Sequence, residues 1–119
     1  MKKLLVVDDD LTIVNLVTKA LAATDRVIRH AADGAAALHW ISKETFDLVI
    51  CDLMMPRGHG FEVIKALRTN PEAASTRILV LTAKSFSRDA DKVLASGADL
   101  VVTKPFEVAD LKAKVNQLL

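Results

Sequence analysis

Short apolar runs alternate along the chain with longer segments in which apolar residues recur every three or four positions. The runs are rich in Val, Leu and Ile, and such runs are typical of strands that are buried on both faces of a sheet. The longer segments have the spacing of amphipathic helices. The predicted strands are residues 4–7, 27–31, 48–52, 78–81 and 100–102.

A helix is predicted after each strand, with an apolar stripe that faces the sheet. Asn70 and Pro71 should end the third helix, and Gly97 should end the fourth, which is predicted over residues 87–96. The residues expected to point inward are Leu11, Val14, Val17 and Leu21 in the first helix, Leu38 and Ile41 in the second, Phe61, Ile64 and Leu67 in the third, and Phe106, Leu111, Val115 and Leu118 in the fifth.

Five strands that alternate with five helices predict an α/β fold with a parallel sheet and helices on both of its faces. The 119 residues have the length of one domain, and we expect a single domain over residues 1–119. The net charge of +1 does not favour direct nucleic-acid binding, and no apolar run approaches the ~20 residues that span a bilayer. Cys51 is the single cysteine, so a small buried side chain and a reducing cytoplasm are expected.

Polar residues that can carry chemistry stand where four of the strands end. Asp8 and Asp9 follow strand one, Asp52 ends strand three, and Thr82 and Lys104 stand at the ends of strands four and five. In a parallel sheet these ends share one edge, and neighbouring strands are about 4.8 Å apart. If strands one and three are neighbours, the three carboxylates converge.

Converging carboxylates repel one another unless a cation lies between them. Oxygen ligands from one or two carboxylates suit Mg²⁺, which keeps several waters. Lys104 adds a second positive charge, and the Thr82 hydroxyl can donate a hydrogen bond to an oxyanion. This set indicates a phosphoryl-transfer site in which an ionised carboxylate is the nucleophile and forms an aspartyl phosphate.

The chain resembles the receiver domain of two-component response regulators over essentially its full length. The stretches that carry the resemblance are VVDD at 6–9, DLMMP at 52–56 with Gly60, LTA at 81–83, GAD at 97–99 and KPF at 104–106. The resemblance implies a flavodoxin-like, CheY-like fold with strand order 2-1-3-4-5, which makes strands one and three neighbours.

The resemblance also implies the chemistry of the site. Asp52 would accept a phosphoryl group from a sensor histidine kinase or a phosphotransfer protein. Asp9 and Asp52 would bind Mg²⁺ directly, together with the backbone carbonyl of Met54, and Asp8 would bind it through water. Such a domain is a phosphoacceptor signalling module, and it catalyses only its own phosphorylation and dephosphorylation.

The resemblance also implies roles for residues around the phosphoryl group. Thr82 and Lys104 would contact the phosphoryl group, and a cis peptide bond between Lys104 and Pro105 would aim the lysine. Met54 and Lys84 would flank the phosphate and tune its lifetime.

Val101 is a departure from the family pattern, which commonly has Tyr or Phe three residues before the lysine. We therefore expect helix four and the loop at 83–87 to carry the output change. The face formed by helix four, strand five and helix five would bind a downstream partner or an output domain, and a homodimer through that face is possible. The three histidines and Trp40 are expected to be solvated or to serve in packing.

Three other functions compete with this interpretation. Asp8 to Thr12 fits the Asp-x-Asp-x-Thr motif of haloacid-dehalogenase-like phosphatases, with Asp8 as nucleophile; that alternative leaves Asp52 and Pro56 unexplained and lacks a later acidic pair. A receiver fold that serves as an unphosphorylated scaffold is a second alternative, which the complete acid, threonine and lysine set disfavours. A nucleotide-binding protein is disfavoured because no glycine-rich loop follows strand one.

Overall fold

A computed structural model describes residues 1–53, 55, 60–83 and 90–119 of the chain. Its strands form one parallel sheet in the order β2-β1-β3-β4-β5, which confirms the predicted fold class. The elements are β1 Lys2–Val7, α1 Leu11–Leu21, β2 Arg26–Ala31, α2 Gly34–Lys43, β3 Leu48–Asp52, α3 Gly60–Thr69, a 3₁₀ turn Pro71–Ala73, β4 Arg77–Ala83, α4 Ala90–Ala95, β5 Leu100–Lys104 and α5 Val108–Leu118.

The sheet has a hydrophobic core on each face because its side chains alternate between the two sides. Leu4 and Ile50 belong to the core under α1 and α5. Leu5 and Cys51 belong to the core under α2, α3 and α4. All five residues of β3 are buried, so the central strand is covered on both faces. None of the helices in the described part of the chain has both the length and the hydrophobicity needed to cross a bilayer.

Three residues that were expected to face the core are exposed instead. Leu11 is 64% exposed, Leu38 is 38% exposed and Phe61 is 36% exposed. Leu38 and Phe61 each follow a buried residue, Ala37 and Gly60, and consecutive helical residues point about 100° apart. Leu11 is the first residue of α1, where the helix has only just begun to cover the sheet.

Four strands are longer than predicted: β1 and β2 begin before their predicted starts, at Lys2 and Arg26, and β4 and β5 extend beyond their predicted ends. β4 runs to Ala83 and β5 runs to Lys104, and these two residues are register partners. The described part of α4 begins at Ala90, and the predicted start near residue 87 lies outside the described residues. Phe106 precedes α5 rather than belonging to it, but it still packs against the core beneath that helix.

Arg68, near the C-terminal end of α3, makes hydrogen bonds that hold the turn after α4. The Nε of Arg68 donates to the Gly97 carbonyl at 2.9 Å, and its Nη2 donates to Asp99 at 3.1 Å. Asp99 also accepts the backbone N–H of Ile78 at 2.8 Å. Gly97 has φ +123°, a conformation that side chains strongly disfavour. The glycine therefore ends the helix as predicted and lets Arg68 pass close to the backbone.

We expect Gly97→Ala to lower the free energy of unfolding by about 1–3 kcal/mol, because φ would be strained. The new Cβ would also lie 2.6 Å from the Cγ of Arg68. Urea unfolding of Gly97→Ala measures the combined effect of the φ strain and the close Cβ contact. The double variant Gly97→Ala/Arg68→Ala removes the contact with the Arg68 side chain. A Gly97→Ala variant as stable as the wild type would contradict this account of the turn.

Candidate functional site

The candidate site lies at the carboxyl edge of the sheet, where the ends of four strands meet. Asp8 follows β1, and Asp52 is the last residue of β3. Lys104 ends β5, and Thr82 is the next-to-last residue of β4. Because β1, β3, β4 and β5 are successive neighbours, the fold brings these predicted residues to one edge.

The three carboxylates converge as the sequence predicts. Asp8, Asp9 and Asp52 each offer an oxygen, and these oxygens lie within 4.8 Å of one another. Asp8 is fully buried and Asp52 is 7% exposed, whereas Asp9 is exposed at the rim. The cluster is therefore a small acidic site that opens to solvent on one side, and its oxygen donors are of the kind that hold a divalent cation.

Lys104 balances part of this negative charge. Its Nζ donates to Asp8 Oδ2 at 3.0 Å and lies 3.6 Å from Asp52 Oδ2. Burial alone lowers the pKa of the ammonium, but the hydrogen bond to Asp8 and the charges of Asp52 and Asp8 outweigh it, so the pKa of Lys104 is raised above its usual value. The lysine is therefore a firmly charged link between β1, β3 and β5.

The turn after β1 fixes the Asp8 side chain from the other direction. The backbone N–H of Asp10 donates to Asp8 Oδ1 at 2.9 Å, so both Asp8 oxygens accept hydrogen bonds. The side chain of Asp10 accepts the N–H of Thr12 at 2.9 Å and serves as the N-cap of α1. Asp10 thus has the capping role that its position indicates, and it lies outside the acidic cluster.

Two buried side chains, Cys51 on β3 and Thr82 on β4, lie on the strands close to the acids. Burial, and then the charges of Asp52 and Asp8, raise the pKa of the Cys51 thiol, which therefore stays neutral. The thiol donates to the Asp52 carbonyl at 3.3 Å, in keeping with a structural role. The Thr82 hydroxyl is buried, and it donates to the Ala83 carbonyl over 3.4 Å, a long hydrogen bond that can be exchanged readily.

Gly60 lets α3 begin directly against the end of β3. Its N–H donates to the Leu53 carbonyl at 2.9 Å. A Cβ at this position would lie 2.7 Å from the Asp52 carbonyl oxygen and 2.9 Å from the Leu53 Cα. The glycine is therefore required by packing, and it keeps the backbone of Asp52 in place.

The peptide bond between Lys104 and Pro105 is cis. Val101, where the family commonly has an aromatic residue, pairs in register with Val80 and packs partly buried against the core. Met54, Lys84 and the loop at 84–87, for which the sequence suggested roles beside the phosphate and in the output, lie outside the described residues.

One neighbour of the acids was not predicted from the sequence to belong to the site. His30 on β2 places its Nε2 3.2 Å from the carbonyl oxygen of Asp8. The backbone carbonyl of His30 in turn accepts the indole N–H of Trp40 at 3.1 Å. The signal was its place one residue before the end of β2, but only the position of the ring in the structure shows that it reaches the Asp8 carbonyl.

The sequence profile of the response regulator receiver domain matches residues 4–116. The chain belongs to this family. It is 35% identical over 119 residues to the DNA-binding dual master transcriptional regulator RpaA of Synechocystis, covering 100% of the chain and 49% of that protein. It is 39% identical over 118 residues to the alkaline phosphatase synthesis transcriptional regulatory protein PhoP of Bacillus subtilis, covering 99% of the chain and 48% of that protein.

Solved structures of receivers have the same fold. The chemotaxis response regulator CheY4 of Vibrio cholerae superposes with a TM-score of 0.91 at 34% identity, covering 100% of this chain and 99% of that one. The chain spans about half the length of the curated relatives that it matches. It is a receiver domain of two-component systems, a signalling module whose acidic cluster is compatible with a metal ion.

We expect replacement of Lys104 by Met to destabilise the metal-free receiver by about 1–3 kcal/mol, because Asp8 and Asp52 would lose the ammonium that lies within 3.6 Å of both carboxylates. The pKa of Lys104 is raised on folding, so its contribution is complete below the unfolded value of about 10.4 and is lost as pH rises through the folded value.

Urea unfolding of wild type, Lys104→Met and the exposed control Lys112→Met at several pH values tests this expectation. The free energy of unfolding of Lys104→Met should lie below that of wild type by a constant amount from pH about 7 to about 9, and that of the control should equal wild type. A deficit that disappears within that range would contradict it.

Proposed function

We propose that Asp52 accepts a phosphoryl group from a phosphohistidine of a sensor histidine kinase or a phosphotransfer protein. The observation that carries the proposal is the convergence of Asp8, Asp9 and Asp52 within 4.8 Å, with the Lys104 ammonium 3.6 Å from Asp52. Membership of the receiver family supports the same function.

The surroundings of the three acids favour Asp52 as the nucleophile. Asp8 is fully buried, and both of its oxygens are occupied by the Asp10 N–H and the Lys104 ammonium. Asp52 retains a small exposed area at the opening of the site. The phosphatase alternative requires attack by Asp8, the least accessible of the three acids, and the family assignment does not favour it.

The transfer needs no general base, because the nucleophile is already ionised. A carboxylate oxygen of Asp52 attacks the phosphorus, the P–N bond to the donor imidazole breaks, and the imidazole leaves with that electron pair. Lys104 would pair with the phosphoryl oxygens, and the Thr82 hydroxyl would exchange its long hydrogen bond to Ala83 for one to the phosphoryl group. Later attack of water on phosphorus would break the P–O bond to Asp52, release inorganic phosphate and return the Asp52 carboxylate.

The donor set fits Mg²⁺. Three carboxylates with oxygens within 4.8 Å of one another carry more negative charge than Lys104 alone offsets. Asp9 and Asp52 would hold the ion directly, with the carbonyl of Met54, and Asp8 would hold it through water. When bound, Mg²⁺ would neutralise charge on the transferring phosphoryl group.

Phosphorylation would act on a pre-existing equilibrium between inactive and active forms, and it must interact better with the active form to shift it. The face made by α4, β5 and α5 would then bind a partner, an output domain or a second copy of the chain. Curated relatives about twice as long are transcriptional regulators, which supports an output domain. The family also supports a cytoplasmic location.

Phosphorylation by acetyl phosphate, followed by intact-mass spectrometry, tests the proposed nucleophile. Wild type should gain one phosphoryl group in the presence of Mg²⁺ and none when EDTA is present from the start. Asp52→Asn should gain none. Asp47→Asn is the matched control, because Asp47 precedes the same strand at the opposite edge of the sheet and accepts only the Lys3 N–H with its side chain.

The same experiment separates the alternatives. Phosphorylation that survives in Asp52→Asn and disappears in Asp8→Asn would assign the nucleophile to Asp8, as in a phosphatase. A wild type that gains no phosphoryl group, although it binds Mg²⁺ and is folded, would indicate an unphosphorylated scaffold. Either result would overturn the proposal.

A further inference from the structure

We propose that His30 is a positioning residue for the acidic cluster, and that its Nε2–H fixes the peptide between Asp8 and Asp9. The inference rests on the proposed metal site. Its basis is the 3.2 Å contact between His30 Nε2 and the Asp8 carbonyl oxygen. A carbonyl oxygen can only accept a hydrogen bond, so the Nε2 of His30 carries the hydrogen.

The position of Asp8 explains why a side chain is needed there. The register of β1 and β2 ends with Val7 opposite Ala31, and the Asp8 N–H makes one more ladder bond, to the Ala31 carbonyl at 3.1 Å. β2 ends at Ala31, so the strand supplies no following N–H for the Asp8 carbonyl. The His30 ring supplies the donor instead, from within the strand.

This hydrogen bond acts on a different atom from the bonds that hold the Asp8 side chain. Asp10 and Lys104 fix the two carboxylate oxygens, whereas His30 fixes the carbonyl. The carbonyl of Asp8 and the N–H of Asp9 belong to one planar peptide. Fixing that plane fixes the N–Cα bond of Asp9, from which the Asp9 side chain projects, and Asp9 is the exposed member of the cluster.

His30 is itself held on a rigid support. Its backbone pairs with Val6 in the sheet, and its carbonyl accepts the indole N–H of Trp40 from α2. The guanidinium of Arg29 lies 5.4 Å from the centre of the Trp40 ring and covers it. The ring of His30 therefore has a fixed base, which a residue needs if it is to orient another group.

The proposal requires an N–H donor at this position, and it therefore distinguishes between substitutions that keep a donor and those that remove it. Glutamine has an amide N–H at nearly the reach of the histidine Nε2, whereas leucine has similar bulk and no donor. If the hydrogen bond is what matters, His30→Gln should restore what His30→Leu loses. If His30 only fills space, the two variants should rank by packing, with leucine the better replacement in a half-buried strand position.

Nuclear magnetic resonance gives two readouts that do not need phosphorylation. In metal-free wild type at neutral pH, long-range ¹H–¹⁵N spectra should show His30 as the Nε2–H tautomer. In a Mg²⁺ titration followed by amide shifts, His30→Leu should bind about tenfold more weakly than wild type, and His30→Gln should lie close to wild type. His39→Leu, at an exposed histidine on α2, is the matched control and should not change the affinity.

The outcomes separate this inference from the proposed function. Wild-type Mg²⁺ binding with equal affinity in His30→Leu, or an Nδ1–H tautomer in wild type, would overturn the role of His30 alone. A wild type that binds no Mg²⁺ would overturn the metal site and with it this inference. Should His30→Leu fail to fold, the tautomer of His30 in wild type and the Mg²⁺ affinity of His30→Gln still test the proposal. A His30→Gln variant that binds Mg²⁺ tenfold more weakly than wild type would contradict the donor role.

Discussion

The mutual repulsion of three carboxylates at one edge of the sheet is the constraint on which the rest of the site depends. Two unit charges about 4 Å apart interact by about 4 kcal/mol at the effective dielectric constant of a protein surface, a large share of the stability of a small domain. Lys104 offsets part of this repulsion by reaching Asp8 and Asp52 together. The remaining charge makes the site suited to a divalent cation, and the same charge makes the arrangement costly to hold without one.

The fold holds that arrangement by burying the strands that carry it. β3 is buried along its whole length, so Asp52 cannot move away from Asp8 without disturbing two hydrophobic cores. Gly60 lets α3 start against the Asp52 backbone, where a Cβ would collide with it. Polar contacts hold the other side, where Asp10 and His30 fix the side chain and the carbonyl of Asp8. The acids are thus kept together by apolar packing and backbone hydrogen bonds rather than by attraction between them.

The parallel sheet could be predicted from the hydrophobic runs, and the strand order, which brings the five site residues to one edge, could be expected from the resemblance that the motifs at the strand ends carry. The exposure of Leu38 and Phe61 could not be predicted. Neighbouring residues on a helix cannot all face the sheet, and the local pattern does not say which of them does. His30 was missed for a different reason. Its ring contacts the carbonyl of Asp8, two residues beyond its register partner Val6, and neither composition nor periodicity shows which backbone atom a side chain on a neighbouring strand reaches.

Lys104 also limits how a phosphoryl group on Asp52 could be sensed. In the unphosphorylated site the ammonium lies closer to Asp8, at 3.0 Å, than to Asp52, at 3.6 Å. A phosphoryl group adds negative charge on the Asp52 side, so the balance of attraction on Lys104 shifts from β1 toward β3. Lys104 is the last residue of β5, and the same strand carries Val101 where the family commonly has an aromatic ring. With valine there, under the proposed function the response of β5 to phosphorylation would begin at the lysine and at Thr82 on β4, the two groups whose hydrogen bonds the phosphoryl group would replace.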